Sequence, residues 1–224
     1  MRQIEILFLL FMIYSFLGWI VDIIGNYLSK RNIVNRGFLI GPYCPIYGFG
    51  AIFITLFLHL IPVQNYLFVF ISCVFICASL EYVTSYILEK VFHARWWDYS
   101  NEIFNINGRI CLGTMIPFGL LGILIFFVTN PFFIFLLEKL STTTLTIICI
   151  LLLVILTVDI TLSCQILIHF RKLINSSKSV DKTKDIRAIM REKIKKHRHI
   201  HQRLLKAYPT ISKKVNTFLK RIKL

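Results

Sequence analysis

The chain has 224 residues, 56% of them hydrophobic, with a mean hydropathy of +0.70 that argues against a water-soluble fold. Its net charge of +15 is unevenly placed: residues up to Phe170 carry 8 basic and 8 acidic groups, and the rest carry 18 basic and 3 acidic. That division predicts a transmembrane domain over 1–170 and a basic cytoplasmic tail over 171–224.

A helix needs about 20 mostly apolar residues to cross the hydrocarbon core, and five stretches qualify. They run from Ile6 to Leu28, Pro45 to Ile61, Leu67 to Leu88, Cys111 to Thr129 and Leu145 to Phe170. The first is too long for the core of a cleaved leader and lacks a small-residue cleavage site, so it is expected to stay as a span. The fourth contains Pro117 and is followed by Asn130-Pro131, which reads as a cap and first turn opening a short interfacial helix over Phe132 to Leu140. The predicted fold class is an all-α polytopic membrane protein of about five spans. The six cysteines form no C-x-x-C pair and fall mostly within apolar runs, so neither a disulfide framework nor a metal site is expected.

Orientation follows the side on which Lys and Arg collect. With the tail inside, alternation also places Lys30, Arg31 and Arg36 inside, together with Lys90, Arg95 and Arg109, leaving Arg2 and Lys139 outside. The expectation is N-terminus out and C-terminus in.

Charges within spans are costly, so they pair, face the bundle interior, or line a path for a solute. Asp22, Glu81, Glu89 and Asp159 are such groups. Ser15, Gly18, Asp22, Gly25 and Asn26 recur at three- and four-residue steps on the first helix, and Cys73, Cys77, Glu81, Ser85 and Glu89 at four-residue steps on the third. Each stripe alone reads as a close helix contact. Two carboxylate-bearing stripes converging on one membrane face point instead to a polar cavity.

The loop from Asn35 to Gly50 holds too much Gly and Pro for a plain helix. It predicts a broken start to the second span, with peptide groups exposed near the interface. The plainer alternative is a re-entrant turn.

The next loop carries Arg95-Trp96-Trp97-Asp98-Tyr99 and Asn107-Gly108-Arg109. The Trp pair fits an interfacial anchor. Arg95 and Arg109 either neutralise Glu81, Glu89 or Asp98, or join Arg36 in holding an anionic group. The candidate cavity residues are Asp22, Arg36, Glu81, Glu89, Arg95, Trp97, Asp98, Asn107 and Arg109. No catalytic or metal-ligating set is read, and no cofactor is expected.

In the tail, Ile186, Met190 and Ile194, then Ile200, Leu204 and Tyr208, recur at four-residue steps among Lys and Arg. That is a basic amphipathic helix suited to anionic lipid, and nucleic acid is disfavoured because no motif for it is present. His197, His199 and His201 alternate and cannot share one helix face, so a metal role is not expected.

Taken together, Tyr14-Ser15-Phe16-Leu17-Gly18-Trp19, Asn35-Arg36-Gly37-Phe38-Leu39, Gly41-Pro42-Tyr43-Cys44-Pro45-Ile46-Tyr47-Gly48, Leu80-Glu81-Tyr82, Arg95-Trp96-Trp97-Asp98-Tyr99 and Asn107-Gly108-Arg109-Ile110-Cys111-Leu112 resemble the ABC-transporter type IV permease family of bacteria. The resemblance covers roughly Ile6 to Phe127. It implies a multi-pass protein of the bacterial cell membrane with a permease role and leaves the substrate unassigned. The chain has no G-x-x-x-x-G-K-[ST] motif, so ATP hydrolysis would need a separate ATPase subunit. Five spans are few for a pore, so a homo-oligomer or a partner membrane protein is expected. Two other classes remain open: a membrane-embedded enzyme acting on a lipid-linked or anionic substrate, and a scaffold working through its tail.

Overall fold

The computed structural model describes residues 2–30, 37, 39–61, 65–92, 95 and 97–176. Arg36, Trp96 and the tail after Ser176 lie outside the described residues. The regular elements of the described part are helices: α1 (Arg2–Lys30), α2 (Pro45–His59), α3 (Tyr66–Phe92), α4 (Leu112–Leu124), α5 (Asn130–Glu138) and α6 (Thr142–Ser176). A π-helical turn, Ile125–Thr129, joins α4 directly to α5.

Among the described residues, four apolar stretches are long enough to cross a membrane: Arg2–Leu28, Tyr66–Val91, Leu112–Glu138 and Thr142–Gln165. Helix α2 is apolar but has only 15 residues. At 1.5 Å per residue it reaches about 22 Å, short of the ~30 Å hydrocarbon core.

The fourth stretch departs from the sequence expectation. A short helix does begin at Asn130-Pro131, as α5, but the π-helical turn ending at Thr129 runs into it without a break, so Leu112–Glu138 is one continuous apolar rod. The chain stays helical through Pro131 because the preceding turn is wide, with the Asn130 amide donating to the Ile125 carbonyl. Pro131 removes one N–H from the helical ladder, and placing it just after the wide turn spares the helix a break. Pro117 likewise sits within α4 without ending it.

Packing depends on small residues. A Cβ on Gly18 would lie 2.2 Å from the Tyr47 ring, and one on Gly48 would lie 2.5 Å from the Phe11 carbonyl oxygen, so α1 and α2 approach almost backbone to backbone. Gly119 and Gly122 do the same for α4 against Phe70 and Cys73 of α3. A second device is polar. Tyr14 of α1 donates to Asn130 Oδ1 at 2.8 Å and lies 2.7 Å from the Thr129 hydroxyl, while the Asn130 amide donates to Thr55 of α2. This buried network ties three elements in a setting without water to compete.

The segment before α2 is irregular, as the Gly and Pro content predicts, but its peptide groups are not left open. The Ile40 and Gly41 amides donate to the two Asp159 carboxylate oxygens at 2.9 and 2.7 Å, and the Cys44 amide donates to the Ser15 carbonyl at 2.8 Å. Leu39, Tyr43 and Cys44 are buried. Irregular backbone in an apolar setting persists when other protein groups satisfy it, and here α6 and α1 do so.

Candidate functional site

The acidic stripes of α1 and α3 meet where α2 and α4 begin. Asp22 accepts a hydrogen bond from the Tyr47 hydroxyl at 2.6 Å and from the Cys44 thiol at 3.6 Å. Glu81 is 5% exposed and accepts from the Tyr99 hydroxyl and the Thr114 hydroxyl, each at 3.2 Å. The two carboxylates lie within electrostatic reach of each other and of Tyr99. Among the described residues Glu81 forms no ion pair.

The arginines make a second cluster. Arg95 Nε and Arg109 both reach the same Glu89 oxygen, at 3.0 and 2.8 Å, and Arg95 also lies 3.6 Å from Asp98. Arg109 is 9% exposed; it donates to the Ser85 hydroxyl at 3.2 Å and sits over the Tyr82 and Tyr86 rings. The sequence left the partners open. The structure pairs the arginines with Glu89 and Asp98, and not with Glu81.

The loop 97–111 holds this arrangement by its own chemistry. Asn107 and Gly108 have φ of +54° and +66°, and the Arg109 amide donates to the Ile106 carbonyl at 3.0 Å. Positive φ at both central positions is the type I′ pattern that Asn-Gly favours, and an Ile106–Ile110 bridge closes it. The turn aims Arg109 back into the bundle. Trp97 donates its indole N–H to the Arg109 carbonyl at 2.8 Å, and Asn107 donates to the Tyr82 hydroxyl at 2.9 Å. Trp97 therefore braces the site, beyond any role as an interfacial anchor.

Tyr99 links the two clusters. Its amide donates to the Gly108 carbonyl at 2.8 Å while its hydroxyl reaches Glu81. Burial first, and then the Glu81 carboxylate, push its pKa well above the ordinary tyrosine value, so the hydroxyl stays a donor. Asp98 is shifted the other way. The Ser100 hydroxyl donates to it and has the largest effect; with the Ser100 amide and Arg95 it outweighs the opposing cost of burial and holds the carboxyl below its ordinary value.

The structure therefore brings together eight of the nine candidate residues, with Arg36 outside the described residues. Sequence reasoning did not assign Tyr47, Tyr99, Ser85 or Thr114. All four carry hydroxyls that contact the charged residues, and each lies in or beside a motif already singled out.

Residues 9–164 match the family described as putative ABC-transporter type IV. The chain belongs to this family. As an ABC-transporter type IV member with several apolar helices of spanning length, it is a multi-pass protein of the bacterial cell membrane with a permease-type role. No curated protein and no solved structure matches it.

Proposed function

We propose that the chain is the membrane-spanning subunit of a transporter, with Asp22 and Glu81, and the hydroxyls of Tyr47, Tyr99 and Thr114, facing the solute. The arrangement counts α2 as a fifth crossing and puts the N-terminus outside, the C-terminus inside, and the site toward the cytoplasm. A separate ATPase subunit supplies ATP hydrolysis, a second copy or another membrane protein completes the pathway, and the basic tail 171–224 lies on anionic lipid.

One observation carries the reading. Glu81 is buried on a spanning helix, within reach of Asp22, and is held by neutral hydroxyls while two arginines on the adjoining loop are committed to Glu89. A carboxylate kept only for packing would gain most from a cation, since a charge within a span costs a few kcal/mol. Neutral donors can turn toward a solute at much smaller cost. The same pairing weakens the alternative of an enzyme with arginines open to an anionic or lipid-linked substrate.

The test is a deletion strain complemented with the parent chain, Glu81→Gln or Asp22→Asn, alongside proteoliposomes containing protein with its co-purifying partner. Expected are loss of complementation and of solute flux in both variants at parental expression and thermal stability. Variants as active as the parent, or a parent that moves no solute and recruits no ATPase, would sink the reading.

A further inference from the structure

Residues 39–44 form a strap with little helical structure of its own, tied at both edges to other elements. On one edge stands Asp159 of α6, 8% exposed, receiving the Ile40 and Gly41 amides, the Tyr43 hydroxyl at 2.6 Å and the Ser163 hydroxyl at 3.0 Å. On the other edge the Cys44 amide meets the Ser15 carbonyl of α1. Immediately beyond, the Cys44 thiol and the Tyr47 hydroxyl both contact Asp22.

We infer that residues 39–44 are a gate over Asp22, held closed by the Asp159 carboxylate. Three donors of the strap converge on this one side chain, so they let go together when it moves or changes. Consecutive amides cupping a carboxylate make a strong, charge-assisted nest. The partners of Asp159 in the strap are neutral, so opening breaks hydrogen bonds without stranding a buried cation. At Gly41 a Cβ would lie 2.4 Å from the Tyr43 ring, so the ring folds closely over a bare backbone and places its hydroxyl on Asp159. Because α2 starts at Pro45, a shift of the strap carries Cys44 and Tyr47 with it and uncovers Asp22. A movement at α6 thereby changes access to a carboxylate on α1. Only the meaning of the gate rests on the transport reading; its mechanics do not.

Cys44 is buried at 5% exposure and serves as the reporter, with fully buried Cys73 as the reference. The full chain in lipid nanodiscs is treated with N-ethylmaleimide, and each cysteine is followed by peptide mapping. Asp159→Asn should raise the Cys44 rate about tenfold or more, because the charge-assisted bonds that hold the strap are weakened, with Cys73 unchanged. Tyr43→Phe, which removes one hydroxyl and leaves the carboxylate, should raise it several-fold and covers the case in which Asp159→Asn does not fold. An unchanged Cys44 rate in the variants overturns the gate. So does a parallel rise at Cys73, which would mean general loosening. A static Cys44 beside a transport-dead Asp22→Asn would remove the gate and leave the site, while a responsive Cys44 beside an active Asp22→Asn would do the reverse.

Discussion

Replacing Gly108 with Ala tests whether the loop between α3 and α4 is built around its Asn-Gly turn. Gly108 has φ of +66°, and a Cβ there would lie 2.4 Å from the Ser100 hydroxyl, 2.8 Å from Asp98 Oδ1 and 3.1 Å from the Arg95 guanidinium. Holding Ala in the left-handed region costs about 1–2 kcal/mol. Relieving the contacts forces Asp98 and Ser100 apart, and a lost hydrogen bond of this kind is worth about 1 kcal/mol. The sum is about 2–3 kcal/mol, or roughly a 30- to 150-fold shift in the local opening equilibrium. Hydrogen exchange in nanodiscs reads it directly: protection of the Tyr99 and Arg109 amides should fall by that factor in Gly108→Ala, while amides in the middle of α6 keep theirs. Gly25→Ala is the control, because a Cβ there meets nothing within 4 Å among the described residues and lies on a helix, and it should be neutral or slightly stabilising. Equal protection in Gly108→Ala and the parent would refute the argument that this turn holds Arg109 in place.

Asn130→Ala leaves Tyr14 and Thr55 short of a buried partner and should cost about 1–3 kcal/mol in thermal unfolding in detergent. Gly48→Ala pushes a methyl against the Phe11 backbone, which cannot move aside as a side chain can, and should destabilise by about 1–3 kcal/mol or more in the same assay. The carboxyl of Asp98 titrates below the ordinary value in the folded protein. Its contribution is therefore complete above the ordinary aspartate value of about 3.9 and disappears as pH falls through the lower folded one. Limited proteolysis of the 97–111 loop should be flat from neutral down to about pH 4 and increase below that, and Asp98→Asn should remove this acid step; an unchanged acid step in that variant would refute the assignment.

The stripes on α1 and α3 were legible because a helix repeats every three to four residues and the side chains involved are chemically distinctive. That periodicity places Ser85 and Glu89 on one face with Glu81, and the structure has them there. The pairing of Arg95 and Arg109 with Glu89 was not legible, since it depends on a turn that folds residues 95–109 back over α3. Asn107-Gly108 is the strongest short cue for a tight hairpin turn, but here no alternating strands flank it to mark it as one. The length of the fourth rod exceeds what local rules predict: Asn130-Pro131 is a helix start and α5 does begin there, but the wide turn before it joins α5 to α4 without a break. The role of Asp159 in satisfying a distant strap could not come from sequence alone, because its partners lie more than a hundred residues away.

The wide turn at Ile125–Thr129 has a consequence for how one rod can serve two neighbours. Gly119 and Asn130 are 11 residues apart. In an unbroken α-helix that spacing returns to within about 20° of the same direction, so both would face α3. The looser winding of a five-residue π segment swings everything beyond it by about a quarter turn. Gly119 accordingly meets Phe70 and Val74, whereas Asn130 meets Tyr14 and Thr55. Shortening the segment by one residue would rewind the rod, turning its far half away from α1 and leaving two hydroxyls facing hydrocarbon.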